Sequence, residues 1–160
     1  MDGNHTIEDC FKVTSLTLKK VFDQLNLHQV SLSGILLKPN MVISGTNCKE
    51  QSSVEKVAKM TIQCLKENVP KEVPGIVFLS GGQSNEKATL HLNEMNKLFK
   101  DLPWKLSYSY GRALQQPAIS SWKGEENNIK ISQDALFKRS KLNSSATSGI
   151  YSQKDEQQVI

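Results

Sequence analysis

The segment Leu36-Leu37-Lys38-Pro39-Asn40 places a lysine at the point where an apolar run stops. Side chains alternate along an extended chain, so Leu36 and Lys38 point to the same side. Desolvation disfavours an ammonium ion, and a neutral lysine amine attacks carbonyl groups and forms Schiff bases. A lysine in this place can equally reach past the strand into water. Further along, Ser80-Gly81-Gly82 follows a second apolar run and precedes a helix signal at Ser84. Glycines let backbone amides approach an anion, and a helix N-terminus adds partial positive charge, so this is either a phosphate cradle or an ordinary turn. After a third run, Ser107, Ser109 and Gly111 share one face by the period of two, and Arg112 stands where the turn opens. A guanidinium there is a bidentate partner for phosphate. The competing reading is a surface turn with a structural arginine.

These clusters need elements to position them. From Thr6 to about His28, Ile7, Phe11, Leu18, Phe22 and Leu25 recur at helical spacing. Val30 to Pro39 contains the unbroken run Ile35-Leu36-Leu37, which predicts a short strand covered on both faces and ended by Pro39. Ser52 and Glu55 have capping-box spacing, opening a helix to about Glu67. Gly75 to Ser80 predicts a second strand, and residues 85–100 a helix with Ala88, Leu92, Met95 and Phe99 on one face. A third unit opens at Trp104 with WKLSYSY, turns at Gly111 and enters RALQQPAISSW, where Pro117 shortens or kinks any helix. The last helix is expected over Ile131–Leu142, and residues 144–160 read as a flexible, Ser- and Gln-rich tail.

Helix and strand thus alternate, as in βαβ units with a parallel sheet. A doubly wound sheet of flavodoxin type needs about five strands, and a closed barrel needs eight strands and about 250 residues. Three strands satisfy neither. A lone three-stranded layer would leave two unpaired edges and an uncovered apolar face. A flavodoxin-like phosphate module has the further difficulty that no carboxylate follows the glycine turn at dinucleotide spacing.

Composition narrows the class of protein. With 38% hydrophobic residues and a net charge of +4 (20 Lys+Arg against 16 Asp+Glu), a disordered polyelectrolyte is excluded, and no window is apolar enough to span a membrane. The lysines are spread evenly, which describes a solvated surface rather than a nucleic-acid footprint. Cys10, Cys48 and Cys64 have neither CxxC spacing nor paired histidines, so no disulfide framework or zinc site is indicated, and a reducing, cytoplasmic location is expected. The start MDGNHTIEDC carries no secretory signal. His5, His28 and His91 read as surface or packing residues, and Cys48 and Cys64 as structural.

The three polar clusters fall at the carboxyl ends of successive strands, the edge where parallel α/β folds bind ligands. A lysine beside two phosphate-shaped turns suggests a sugar-phosphate carbonyl substrate.

At these same residues the sequence resembles class I fructose-bisphosphate aldolase. The matching runs are GILLKPNMV (Gly34 to Val42), VPGIVFLSGGQS (Val73 to Ser84) and LPWKLSYSYGRALQ (Leu102 to Gln115), within a similarity covering about residues 2 to 145. The resemblance implies that Lys38 forms the Schiff base with the ketose or dihydroxyacetone phosphate. It implies that Ser80, Gly81 and Gly82 hold phosphate and hydroxyl groups, and that Ser109, Gly111 and Arg112 complete the phosphate site. It implies a glycolytic lyase that cleaves fructose 1,6-bisphosphate reversibly to dihydroxyacetone phosphate and glyceraldehyde 3-phosphate, without metal or other cofactor.

The family is a (β/α)₈ TIM barrel, usually tetrameric, whose Schiff-base lysine sits on the sixth strand. The expected fold class is therefore α/β: a partial TIM (β/α)₈ barrel of about three βα units plus flanking helices. Residues 1–143 form the barrel part and 144–160 the tail. Strands one to five are unmatched, and with them the family's catalytic aspartate, additional lysines and glutamate pair. The family's C-terminal tyrosine is also unmatched, since the sequence ends Gln158-Val159-Ile160 and Tyr151 lies short of that end. The chain alone is expected to be inactive, and its partners to be a phosphorylated sugar and either further copies of itself or the missing barrel half. The alternative is a non-catalytic remnant that binds sugar phosphate or oligomerises.

Overall fold

The computed structural model describes residues 2–157. Five helices, α1 (Ile7–Leu27), α2 (Val54–Asn68), α3 (Asn85–Leu98), α4 (Arg112–Trp122) and α5 (Ile129–Thr147), accompany three strands, β1 (Leu36–Leu37), β2 (Gly75–Phe78) and β3 (Lys105–Tyr108). The sheet is parallel throughout, in the order β1-β2-β3. Leu36, Gly75 and Lys105 form one cross-strand row, and Leu37, Ile76 and Leu106 the next.

Adjacent rows face opposite ways. Ile76 and Phe78 are fully buried against the helices, Leu106 is buried beside them, and Leu37 packs onto the same core. The other face is open. Leu36 is 62% exposed, and Lys38 and Lys105 are exposed with it. The first strand was expected to be covered on both faces. Instead the helices cover one face only, and among the described residues nothing covers the other. The first strand is also shorter than expected, because Leu32–Gly34 form a 3₁₀ turn.

Helix starts follow side-chain capping. Thr6 Oγ1 accepts from the Asp9 amide (3.1 Å) while Asp9 Oδ2 accepts from the Thr6 amide (3.1 Å), a reciprocal box that opens α1. At α2 the expected Ser52–Glu55 box does not form. Ser53 is the cap, accepting from the Lys56 amide at 3.2 Å, and Ser52 Oγ bonds Ser44 Oγ instead. Pro117 lies inside α4 without ending it. Its missing N–H breaks one backbone bond, which α4 offsets by packing against α5.

The C-terminal segment departs most from expectation. Helix α5 runs to Thr147, past the boundary at residue 143, and closes with Gly149 at φ +70°. A Cβ at Gly149 would meet the Lys97 amide nitrogen at 2.9 Å, so only glycine permits this close exit. The chain then folds back. Tyr151 is buried, its amide donates to Asn93 Oδ1 (2.9 Å) and its hydroxyl to Glu156 Oε1 (2.8 Å). Buried Arg139 grips both carboxylate oxygens of Glu156 at 2.7 Å and donates to Thr89 Oγ1 at 2.6 Å. Residues 144–147 thus continue α5, and Tyr151 and Glu156 tie the following segment to α3 and α5 where a flexible tail is expected, since a buried guanidinium holds its carboxylate. The remaining tail residues, 158–160, lie outside the described residues.

Removing that carboxylate leaves a buried cation without its counter-ion. Glu156→Ala should lower stability by about 3 kcal/mol in urea denaturation and expose the 151–157 amides to exchange. A change below about 0.5 kcal/mol would show that the segment does not depend on this pair.

Candidate active site at the carboxyl edge of the sheet

Parallel pairing sends every strand end to one edge. Lys38 follows β1 directly, Ser80-Gly81-Gly82 begins two residues after β2, and Ser109 follows β3. The pairing continues beyond the strands: the Leu79 amide donates to Pro39 O (3.0 Å) and the Ser109 amide to Phe78 O (2.9 Å). The three sequence clusters are therefore tied together by backbone bonds at the edge itself.

Gly81 and Gly82 have φ of +57° and +84°, a consecutive left-handed pair that side chains strongly disfavour. A Cβ built on Gly82 would lie 3.7 Å from Arg112 Nη2. The guanidinium of the third cluster thus stands over the glycine turn of the second. Among the described residues no carboxylate pairs with Arg112 or with Lys38. Ser80 is buried, Ser109 is half-buried, and Gly82, Gly111 and Arg112 are exposed. Gly111 caps α4 without a side-chain bond, leaving the amides at that helix start unclaimed by a cap.

Two clefts flank the turn. One, of about 360 Å³, is lined by Ser44, Gly81, Gly82, Ser84, Lys87 and His91 among others. The second, of about 510 Å³, has Asp9, Cys10, Thr14, Asn40, Leu79 and Gly81 in its wall. Lys38 lines neither. It stands on the open face, with Leu36 beside it.

Several supporting residues carry no local sequence signal. Gln83 closes the turn, its amide N–H (3.2 Å) and Nε2 (3.0 Å) both donating to Ser80 O. Tyr110, buried, donates its hydroxyl to Ala88 O at 2.8 Å and anchors the third turn on α3; burial pushes its phenol pKa upward. Asn40 donates to Thr14 Oγ1 (3.0 Å), fixing the segment after Lys38 on α1. His91 is a packing residue, as expected, and one with a polar contact: its Nδ1 lies 2.6 Å from Gln83 Oε1. Cys64 is buried with its thiol pushed upward by desolvation, and the three cysteines are free. Among the described residues no cluster of His, Cys, Asp or Glu could hold a metal ion, and no helix is long and apolar enough to cross a membrane.

The sheet and its edge define part of a β/α barrel carrying a lysine beside a glycine turn and an arginine. Comparison with known proteins agrees. The sequence model described as fructose-bisphosphate aldolase class-I matches residues 1–160. A probable fructose-bisphosphate aldolase class 1 from Xanthomonas axonopodis pv. citri is 51% identical over 150 residues, 93% of this chain and 45% of that protein. A fructose-bisphosphate aldolase from Dictyostelium discoideum is 48% identical over 94% of this chain and 42% of its own length. Fructose-bisphosphate aldolase from Plasmodium falciparum, solved in complex with TRAP and a small-molecule inhibitor, has a TM-score of 0.91 and 44% identity, over 94% of this chain and 43% of that one. The chain belongs to the class-I fructose-bisphosphate aldolase family. It spans less than half the length of these relatives.

Burial of His91 beside Lys87 lowers its pKa from 6.5 to about 4. The ionisable groups lining its cleft are Lys87 on the same helix and His91 itself; α2 and the 43–52 loop contribute none. Between pH 6.5 and about 4 the unfolded chain therefore binds a proton at His91 that the folded chain does not. Stability should therefore drop as the pH is lowered from 6.5 to about 4, by up to about 3 kcal/mol, and His91→Asn should flatten this component. An unchanged slope in the variant would assign the loss to other groups.

Proposed function

We propose that this chain supplies the Schiff-base lysine and one phosphate site of a fructose-bisphosphate aldolase. The reaction is reversible cleavage of fructose 1,6-bisphosphate to dihydroxyacetone phosphate and glyceraldehyde 3-phosphate, a glycolytic step in the cytoplasm. The observation that supports this most is the meeting of Arg112 with the Gly81-Gly82 turn, at the edge where Lys38 leaves β1.

In this reading the Lys38 amine adds to the substrate's ketone carbon, and loss of water gives an iminium; as a base takes the β-hydroxyl proton, the bond between the α and β carbons breaks, its electrons forming an enamine on Lys38 while the β carbon leaves as the aldehyde. Ser80, Gly81, Gly82, Ser109, Gly111 and Arg112 hold a substrate phosphate by hydroxyls, backbone amides and a guanidinium, and so fix the carbonyl against the amine. Proton transfers need further groups, each typically worth about 10²- to 10⁴-fold. No carboxylate is matched to that task, and the open face leaves Lys38 in water. Enclosure is what makes such an amine both neutral and well aimed.

The exposure of Leu36 and Lys38 favours a second reading for the chain by itself: a sugar-phosphate-binding half without turnover. The purified chain should show no detectable fructose 1,6-bisphosphate cleavage. Mixed with a polypeptide carrying strands one to five of a relative, it should gain cleavage that Lys38→Ala abolishes. Gain that survives Lys38→Ala would overturn the assignment of the amine. Turnover by the chain alone near that of a whole enzyme would overturn the expected inactivity.

A further inference from the structure

We infer that His91 is a positioning residue for the phosphate turn, acting through Gln83. The inference deepens the reading of Ser80-Gly81-Gly82 as a phosphate cradle and rests on it.

The Gln83 amide is oriented by its own partners. Nε2 donates to Ser80 O at 3.0 Å and faces Met41 Sδ at 3.6 Å. The other amide atom, Oε1, is thereby the acceptor turned towards α3, where His91 Nδ1 meets it at 2.6 Å. An acceptor requires a donor, so Nδ1 carries the hydrogen and Nε2 the lone pair. The ring has little freedom to leave this arrangement, being only 6% exposed on a helix face packed into the core. Desolvation and the nearby Lys87 charge keep it neutral near pH 7.

The connection therefore runs from α3 through His91 and Gln83 to the Ser80 carbonyl. That carbonyl is the first hydrogen-bonded group of the turn: it accepts from both the backbone and the side chain of Gln83. The turn holds two consecutive left-handed glycines, the residues with most conformational freedom to lose. Without an external brace, the Gly81 and Gly82 amides would sample many orientations. Contact with Met41, fully buried four residues into the core-bound segment after Leu37, references the same brace to the Lys38 strand end. Preorganised donors bind an anion without the entropy of ordering a loop, which is the function we assign to this brace.

The test uses the 160-residue chain and two readouts. In His91→Leu, amide exchange at Gln83 should quicken about 10-fold, the effect of losing about one hydrogen bond, with β2 amides unchanged. His91→Asn, whose side-chain amide can donate from nearly the same place, should restore the rate to within about twofold. In a Gln83→Leu background, which itself should show the faster exchange, adding His91→Leu should do nothing more. Gln83→Leu leaves the histidine in place, so the outcome does not hinge on one variant folding. Affinity for inorganic phosphate, read from amide shifts at Gly81, Gly82 and Arg112, should fall in step with the exchange change.

Normal Gln83 exchange in His91→Leu, acceleration shared equally by β2, or full additivity with Gln83→Leu would each overturn the positioning role. If the wild-type chain bound no phosphate, the cradle reading would fall instead, and the exchange pattern would still decide for or against the brace.

Discussion

The structure depends on one constraint, the parallel register of three short strands. Once Leu37, Ile76 and Leu106 align in a row, their packing against the helices fixes which face is core and brings every strand's carboxyl end to one edge. Each crossover helix returns the chain to start the next strand at the same level. Three segments far apart in sequence must then release their polar residues at one place. The backbone bonds from Leu79 to Pro39 and from Ser109 to Phe78 extend that order past the last paired residues.

The same constraint explains what is open. A parallel sheet is ordinarily covered on both faces, and this one is covered on one. Leu36 and Lys38 face outward because no described residue packs over them. In the relatives, which are more than twice as long, the matched region is joined to further sequence. The edge thus gathers a glycine turn, an arginine and a lysine on a face that the described residues leave open.

Much of this was legible in the residues. The helical repeats in α1, α2 and α3, the apolar runs of β2 and β3 and the glycine turn are local patterns, and local patterns read well. The capping at α2 was off by one position, since Ser52 and Ser53 have equivalent hydroxyls and the choice turns on Ser44, eight residues away from Ser52. The 144–157 segment looked flexible because its order comes from contacts with Asn93 and Arg139, neither of which its composition reveals. Gln83 and His91 escaped notice as a pair for a related reason. Their spacing of eight carries no motif, and only the turn's geometry brings them within 2.6 Å. The family resemblance singled out Lys38, the glycine turn and Arg112 as candidates, yet said nothing of the groups that hold them.

The most direct test of the account is to reduce the chain's adduct with dihydroxyacetone phosphate by borohydride, after pairing the chain with strands one to five of a relative, and to map the modified amine by mass spectrometry. The account predicts a single modified residue, Lys38, with labelling at limiting substrate reduced by Arg112→Ala. Modification of another lysine, or labelling indifferent to Arg112, would contradict it.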